Sequence, residues 1–429
     1  MPQLSAADIE QLRAQFDRQL EVGLHHGAQL AVYVDGDLVV DFAGGSTGPD
    51  GDETTPETRH LLFSCTKPFA GVGLHQLVEQ GALDYDDRVV EHWPEFADDG
   101  TQKASITVRQ VLSHTAGIPF GEFDDQPERW GDWDAVVAAM EDIDPVFEPG
   151  TTPAYHAINY GWLVGELIRR CSGQPVEEYV AENVFEPLGM DNTGIGLRED
   201  EPDDVATLAG YEEFERCRDI DEGLEDPAAA YAAAFNQEAT HRAVIPAANG
   251  IGTARDMARF YACLANGGSL DGTQLLTEAT VDEATTTHAE TESDSTLSRP
   301  ARYGLGLWTG GLAADMFGAA SRERMFGHAG LGSSFGWGDP ELNVGFALVT
   351  NGIREESFEH AARVGLDGLL DDLGPLSVGN LALDLARDGF GEVPVWRHER
   401  HRSPGIVFGL GDDVGRDEPG VGRPVGQDE

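Results

Sequence analysis

The chain has 429 residues, 40% of them hydrophobic, and its 77 acidic against 28 basic residues leave a formal net charge of -49. Seven Trp, nine Tyr and nineteen Phe supply ample core material, which excludes a solvating acidic coil. A charge of this sign with no basic stripe excludes nucleic acid as a partner and disfavours anionic membrane surfaces.

The acidic residues are spread from end to end, and their self-repulsion would destabilise the compact state at low ionic strength. At molar salt the Debye length falls to about 3 Å and the repulsion is screened, so the composition predicts a halophilic protein of a salt-rich cytoplasm. Met1 through Asp17 carries Asp8 and Glu10 among scattered apolar residues, with neither a positive start nor an apolar run, so no signal peptide is expected. No run of eighteen apolar residues is present for a membrane span. Cys65, Cys171, Cys217 and Cys263 form no CxxC pair, a pattern of reduced thiols rather than of a disulfide frame or a zinc site.

In chain order, Ser5-Ala6-Ala7-Asp8 reads as a capping box, and Ile9, Leu12, Phe16 and Leu20 follow at helical spacing, predicting an amphipathic helix to about Gly23. Leu30 to Val34 and Leu38 to Phe42, joined by Asp35-Gly36, predict a hairpin. The short apolar segment Leu61 to Phe63 leads into Ser64. Proline is tolerated only in the first turn of a helix, so Pro68 places a helix start close to Ser64, with Ser64 and Lys67 at i and i+3 on one face. From about Val72 to Thr285 helical periodicity dominates. Strand-like runs return at Tyr303 to Trp308, Arg324 to Phe326, Ser333 to Trp337 and Val344 to Thr350, and a final helix carries Phe358, Ala362, Leu366 and Leu369 on one side. This order predicts an α+β fold: an antiparallel sheet completed by both parts of a discontinuous lobe (1–71 and 290–373), flanked by helices, with a mostly helical lobe inserted at 72–289. Beyond Gly374 the composition turns to Gly, Pro, Asp and Arg, and a loosely ordered tail over 374–429 is expected. No internal repeat is present.

The string Ser64-Cys65-Thr66-Lys67 carries one of only two lysines in the chain, the other being Lys103. A serine hydroxyl is a poor nucleophile until a base takes its proton, and a lysine can be that base only if its pKa falls from about 10.4 through burial or nearby positive charge. The helix start also aims amides and a partial positive charge at whatever forms beside Ser64.

Further strings follow in order: Ile106-Thr107-Val108-Arg109-Gln110-Val111-Leu112-Ser113-His114-Thr115-Ala116-Gly117-Ile118, Pro149-Gly150-Thr151 with Tyr155-His156-Ala157, Gly250-Ile251-Gly252-Thr253-Ala254-Arg255-Asp256-Met257-Ala258-Arg259-Phe260, and His328-Ala329-Gly330. Together with the SxxK string they resemble the β-lactamase-related serine hydrolases, which are similar in fold to class C β-lactamases and DD-peptidases. The resemblance covers roughly Ala28 to Leu370. It implies a β-lactamase/DD-peptidase-like fold, Ser64 as nucleophile, Lys67 and Tyr155 as the groups that move its proton, and an oxyanion hole of the Ser64 and Leu331 amides. Which of Lys67 and Tyr155 is the base in acylation stays open.

Two departures bear on substrate. Tyr155-His156-Ala157 stands where β-lactamases carry Tyr-x-Asn, so the amide that would bond a β-lactam or peptide is missing. His328-Ala329-Gly330 stands where they carry Lys-Thr-Gly, and a mostly neutral histidine is a weaker anchor for a carboxylate. Both changes resemble the carboxylesterase branch, with His328, Gly330 and His156 as substrate-binding residues. Trp130, Trp308, Phe120 and Phe335 are candidates for an acyl pocket as well as for core. His398 and His401 lie in the expected tail and make no metal case, and no Walker or dinucleotide fingerprint is present, so no cofactor is expected. The sequence therefore predicts a serine hydrolase of small carboxylic esters working through an acyl-enzyme. Its rivals are a β-lactamase or D-amino-acid peptidase, an acyl transferase, and a catalytically idle binding protein; oligomeric state is open.

Overall fold

The computed structural model describes residues 4–353 except 22, 24, 50, 125, 210–231, 313–316, 318–320 and 333. The predicted final helix, the tail with His398 and His401, and Cys217 lie outside the described residues. Helix α1 (Ala6–Glu21) opens on the predicted capping box, Asp8 N donating to Ser5 Oγ and Ser5 N to Asp8 Oδ2. The strands are β1 (Gly27–Val34), β2 (Asp37–Gly45), β3 (His60–Leu61), β4 (Gly194–Ile195), β5 (Gly250–Gly252), β6 (Ser269–Leu270), β7 (Thr273–Gln274), β8 (Ala289–Thr291), β9 (Ala301–Tyr303), β10 (Trp308–Thr309), β11 (Phe326–Ala329), β12 (Phe335–Asp339) and β13 (Val344–Thr350).

One antiparallel sheet takes eight of them in the order β2-β1-β13-β12-β11-β10-β9-β8, so segments far apart in sequence meet as neighbours inside it, where Ala28 pairs with Thr350 and Val34 with Val344. The β1–β2 hairpin turns at Asp35 (φ 52°) and Gly36 (φ 86°), the paired positive φ values that follow the strands' own twist. Along β1 the period of two separates two cores. Leu30, Val32 and Val34 join Leu12 and Phe16 of α1, together with Phe346 and Leu348. Ala31 and Tyr33 face the other way, onto the large cluster that holds the remaining helices.

Those helices include α2 (Lys67–Glu79), α3 (Trp133–Asp142), α4 (Asn159–Ser172), α5 (Ala254–Ala265) and α6 (Glu278–Thr285). Every residue of α2 from Lys67 to Leu77 is buried, as suits a helix that is apolar nearly all round. Helix α5 lies directly on the sheet. A Cβ at Gly345 would sit 2.3 Å from Ala262 N and 2.4 Å from Ala258 O, so only glycine lets the two backbones approach so closely.

The strand expectations need two corrections. Tyr303 to Trp308 is a tight reversal rather than one strand, with Tyr303 of β9 paired to Trp308 of β10 across a turn where Gly306 takes φ 81°. The edge strand β8 and a separate three-stranded sheet, β3-β5-β4, were not foreseen, because two- and three-residue strands are too short to display alternation. That small sheet matters: β3 delivers the chain to Ser64.

Candidate active site

Backbone strain precedes Ser64. Phe63 takes φ 47°, ψ -132°, a region that costs a side-chain-bearing residue about 1–3 kcal/mol, and Ser64–Thr66 then form one turn of 3₁₀ helix before α2 begins. Three contacts hold this turn. Thr66 Oγ1 donates to Phe63 O at 2.5 Å and accepts from Gly250 N of β5 at 2.6 Å. The buried Cys65 thiol points to His328 O at 3.4 Å and Ser334 O at 3.7 Å, tying the turn to β11 and β12, and burial pushes that thiol up to about 12, so it stays protonated. Gly330 closes on the other side, where a Cβ would come within 2.6 Å of Leu62 O.

Lys67 is fully buried. Its Nζ lies 2.7 Å from Ala157 O, 3.0 Å from Ala247 O and 3.0 Å from Ser64 Oγ. Burial holds its pKa well below the ordinary lysine range, since the charged amine gives up its hydration. A neutral amine has two N–H donors and one lone pair. The two carbonyls occupy the donors, which leaves the lone pair for the Ser64 hydroxyl.

Tyr155 completes the cluster. Burial raises the pKa of its phenol, partly offset by the Ser64 hydroxyl, so it remains a proton donor at neutral pH. Lys67 Nζ lies 4.9 Å from the centre of its ring. The Tyr155 amide donates to both oxygens of the buried Asp294, at 3.2 and 3.0 Å, and Tyr303 donates to the same carboxylate at 2.8 Å. Nothing in the sequence singled out Asp294, which sits outside every matching string.

The histidines divide by their bonding. His156 was expected to touch substrate, and the structure gives it other work. It is buried, with Nδ1 2.6 Å from Ala154 O and Nε2 accepting from Ile118 N at 3.1 Å, so both ring nitrogens belong to backbone groups. Burial lowers its pKa to about 4. Its amide donates to His114 Nδ1 at 3.0 Å, and the His114 ring packs 4.8 Å from Tyr155. His114, at φ 57°, thus fixes the Tyr155 segment; its place in the Leu112-Ser113-His114-Thr115-Ala116-Gly117 string was the only sign of this. His328 is different. Nδ1 lies 2.7 Å from Ala329 O, while Nε2 is buried without a hydrogen-bond partner, and the ring lies 5.9 Å from that of Tyr155.

Of the four aromatic candidates, Trp308 alone stands at the site, its ring 5.8 Å from Tyr155. Trp130 is core against Phe235, and Phe335 belongs to the α1 side of the sheet, stacked on Phe346. Phe120 is 49% exposed. Among the described residues Cys65, Cys171 and Cys263 are free thiols, no group of three or more His, Cys, Asp or Glu is set to hold a metal ion, and no helix is long and apolar enough to cross a membrane.

A serine beside a buried amine and a phenol, on a turn strained into place, fits one family by sequence as well. Residues 12–369 match the Beta-lactamase family. The chain belongs to the β-lactamase family. It is 32% identical to the Esterase/beta-lactamase LipL of Mycobacterium tuberculosis (strain ATCC 25618 / H37Rv), over 80% of this chain and 82% of that protein. Its fold is similar to the crystal structure of a family VIII carboxylesterase, at 29% identity and a TM-score of 0.72 over 84% of this chain and 99% of that one. A penicillin-binding protein homologue from Caulobacter crescentus is similar at 33% identity and a TM-score of 0.70, over 84% and 97%. The α+β, β-lactamase-like architecture is thus the family's own, and the chain is a hydrolase of this family.

Proposed function

We propose that the protein hydrolyses small carboxylic esters through an acyl-enzyme on Ser64. The observation that carries this reading is the bonding of Lys67, whose two carbonyl acceptors and desolvation leave one lone pair facing the Ser64 hydroxyl. Lys67 takes that proton as Ser64 Oγ bonds to the ester carbonyl carbon. Tyr155, held as a neutral phenol against Ser64, passes a proton to the departing alkoxide and is reprotonated from Lys67. The Ser64 amide at the helix start and the Leu331 amide hold the oxyanion; the packing of Gly330 on Leu62 O supports this, because it brings the 330–331 turn against the residues that lead into Ser64. Water then repeats the sequence on the acyl-enzyme.

Ester rather than β-lactam or peptide substrates are favoured by Ala157, which offers no side-chain amide, and by His328, which offers no cation where a carboxylate would need one. The carboxylesterase name of the family VIII neighbour agrees with this choice, while the name of LipL carries both esterase and beta-lactamase. The substrate is a small molecule, and the site of action a salt-rich cytoplasm.

The test is intact-protein mass after a fluorophosphonate in molar KCl, with p-nitrophenyl ester and chromogenic cephalosporin turnover measured alongside. One adduct, absent in Ser64→Ala, together with ester but not cephalosporin turnover is the expected result. Cephalosporin turnover at a comparable rate would move the function to β-lactam hydrolysis. Absence of both adduct and turnover in a folded sample would leave a binding protein on this fold.

A further inference from the structure

Two buried nitrogens beside the nucleophile have no partner among the described residues, and they are of opposite kind. His328 Nδ1 is 2.7 Å from Ala329 O, and a carbonyl can only accept, so the ring proton sits on Nδ1 and Nε2 presents a lone pair. Trp308 Nε1 can only donate. The two rings touch, with centroids 5.0 Å apart, and each packs on Tyr155, at 5.9 Å for His328 and 5.8 Å for Trp308. Unpaired buried polar atoms cost about 1–3 kcal/mol each, so two on adjoining rings mark a position where a ligand repays them.

The chemistry of the pair restricts what fits. A carboxylate has acceptors only and would meet the Nε2 lone pair. An ammonium has donors only and would leave the indole N–H unpaired. An alkyl chain would bury both. A neutral group that donates and accepts at once satisfies the two together, and the smallest such group on an ester is a hydroxyl. We propose that Trp308 and His328 form a specificity pair for a hydroxyl on the ester substrate, so that hydroxy-esters are favoured over both alkyl and carboxylate-bearing ones. This rests on the esterase reading of Ser64 and names its substrate class. Sites built to bond a hydroxyl discriminate strongly against analogues without one, because the analogue leaves the site's own groups unpaired.

The test compares kcat/KM for an acetate or butyrate ester of ethylene glycol with that for its n-propyl counterpart, in which a methyl replaces the hydroxyl, and with that for the glycolate counterpart, which carries a carboxylate. Expected are ratios of about tenfold or more in favour of the hydroxy-ester over each. Trp308→Phe keeps an aromatic ring and removes the donor, and His328→Phe removes the acceptor; each should bring the hydroxyl-to-alkyl ratio toward one. Fluorophosphonate labelling of Ser64 in every variant shows that the catalytic centre is intact, so loss of the ratio is distinct from loss of esterase activity. A wild-type ratio near one, or a ratio that survives both variants while labelling persists, would overturn the pair; turnover of none of the esters with Ser64 unlabelled would instead sink the underlying esterase reading.

Discussion

An amine that has lost its water but kept two carbonyl acceptors has one lone pair to offer, and at Lys67 it faces Ser64. The consequence is a sign. Because burial holds Lys67 below the ordinary lysine range, the base is present above its folded-state pKa and lost as pH falls through it. Ester kcat/KM should therefore rise with pH through a single basic ionisation and level off, and a profile falling toward alkaline pH from the acid side would contradict the assignment. Lys67→Arg should cost about 10³-fold or more in kcat/KM, since a guanidinium keeps its proton and offers no lone pair. Nearby residues act through position. His156 and His114 spend their bonding on the Tyr155 segment, and Asp294 gathers the Tyr155 amide and the Tyr303 hydroxyl. The SxxK spacing made Ser64 and Lys67 legible. Asp294 was not legible, because a buried carboxylate that accepts from backbone amides looks in sequence like any loop aspartate.

At the scale of elements, the second lysine explains why the chain keeps it. Lys103 is buried and donates to Met140 O at 2.7 Å and Glu141 O at 2.6 Å, closing the C-terminal end of α3, with its ammonium 4.5 Å from the Phe96 ring. Burial lowers its pKa to about 8, so near neutral pH it is still the charged donor. Lys103→Met should lower unfolding stability by about 1.5–3 kcal/mol, the scale of a hydrogen bond to a charged group, while Ser64 is still labelled by a fluorophosphonate. An unchanged denaturation midpoint would show that the cap contributes nothing. The hairpin β1–β2 and the start of α2 were legible because Asp35-Gly36 and Pro68 each admit few backbone conformations. The β3-β5-β4 sheet was not: its pairings join His60 to Gly252 and Ile195 to Gly250, contacts that only the closed fold supplies.

For the whole molecule, the prediction rests on charge. A net charge of -49 on one chain repels itself at any distance that salt does not screen. The described ion pairs draw on arginine and histidine, and both lysines are interior, so the acidic surface has few cations of its own to set against the acids. Circular dichroism in dilute buffer should show lost secondary structure that molar KCl restores. Spectra indifferent to salt would dismiss the halophilic reading.

By itself the sequence determined the class of fold, through a set of ordered strings that resemble one family, and it placed Ser64 and Lys67 one turn apart, because Pro68 fixes a helix start there. It also marked the two departures, Ala157 and His328, on which the proposal of ester substrates rests. Only the tertiary structure told the two histidines apart. His156 and His328 look alike in a string, but one has both nitrogens bonded to backbone and the other keeps a buried lone pair beside Trp308. The difference is made by Ile118 N, which the fold brings to His156 Nε2 from 38 residues away while His328 Nε2 receives no such donor, and no spacing along the chain encodes it.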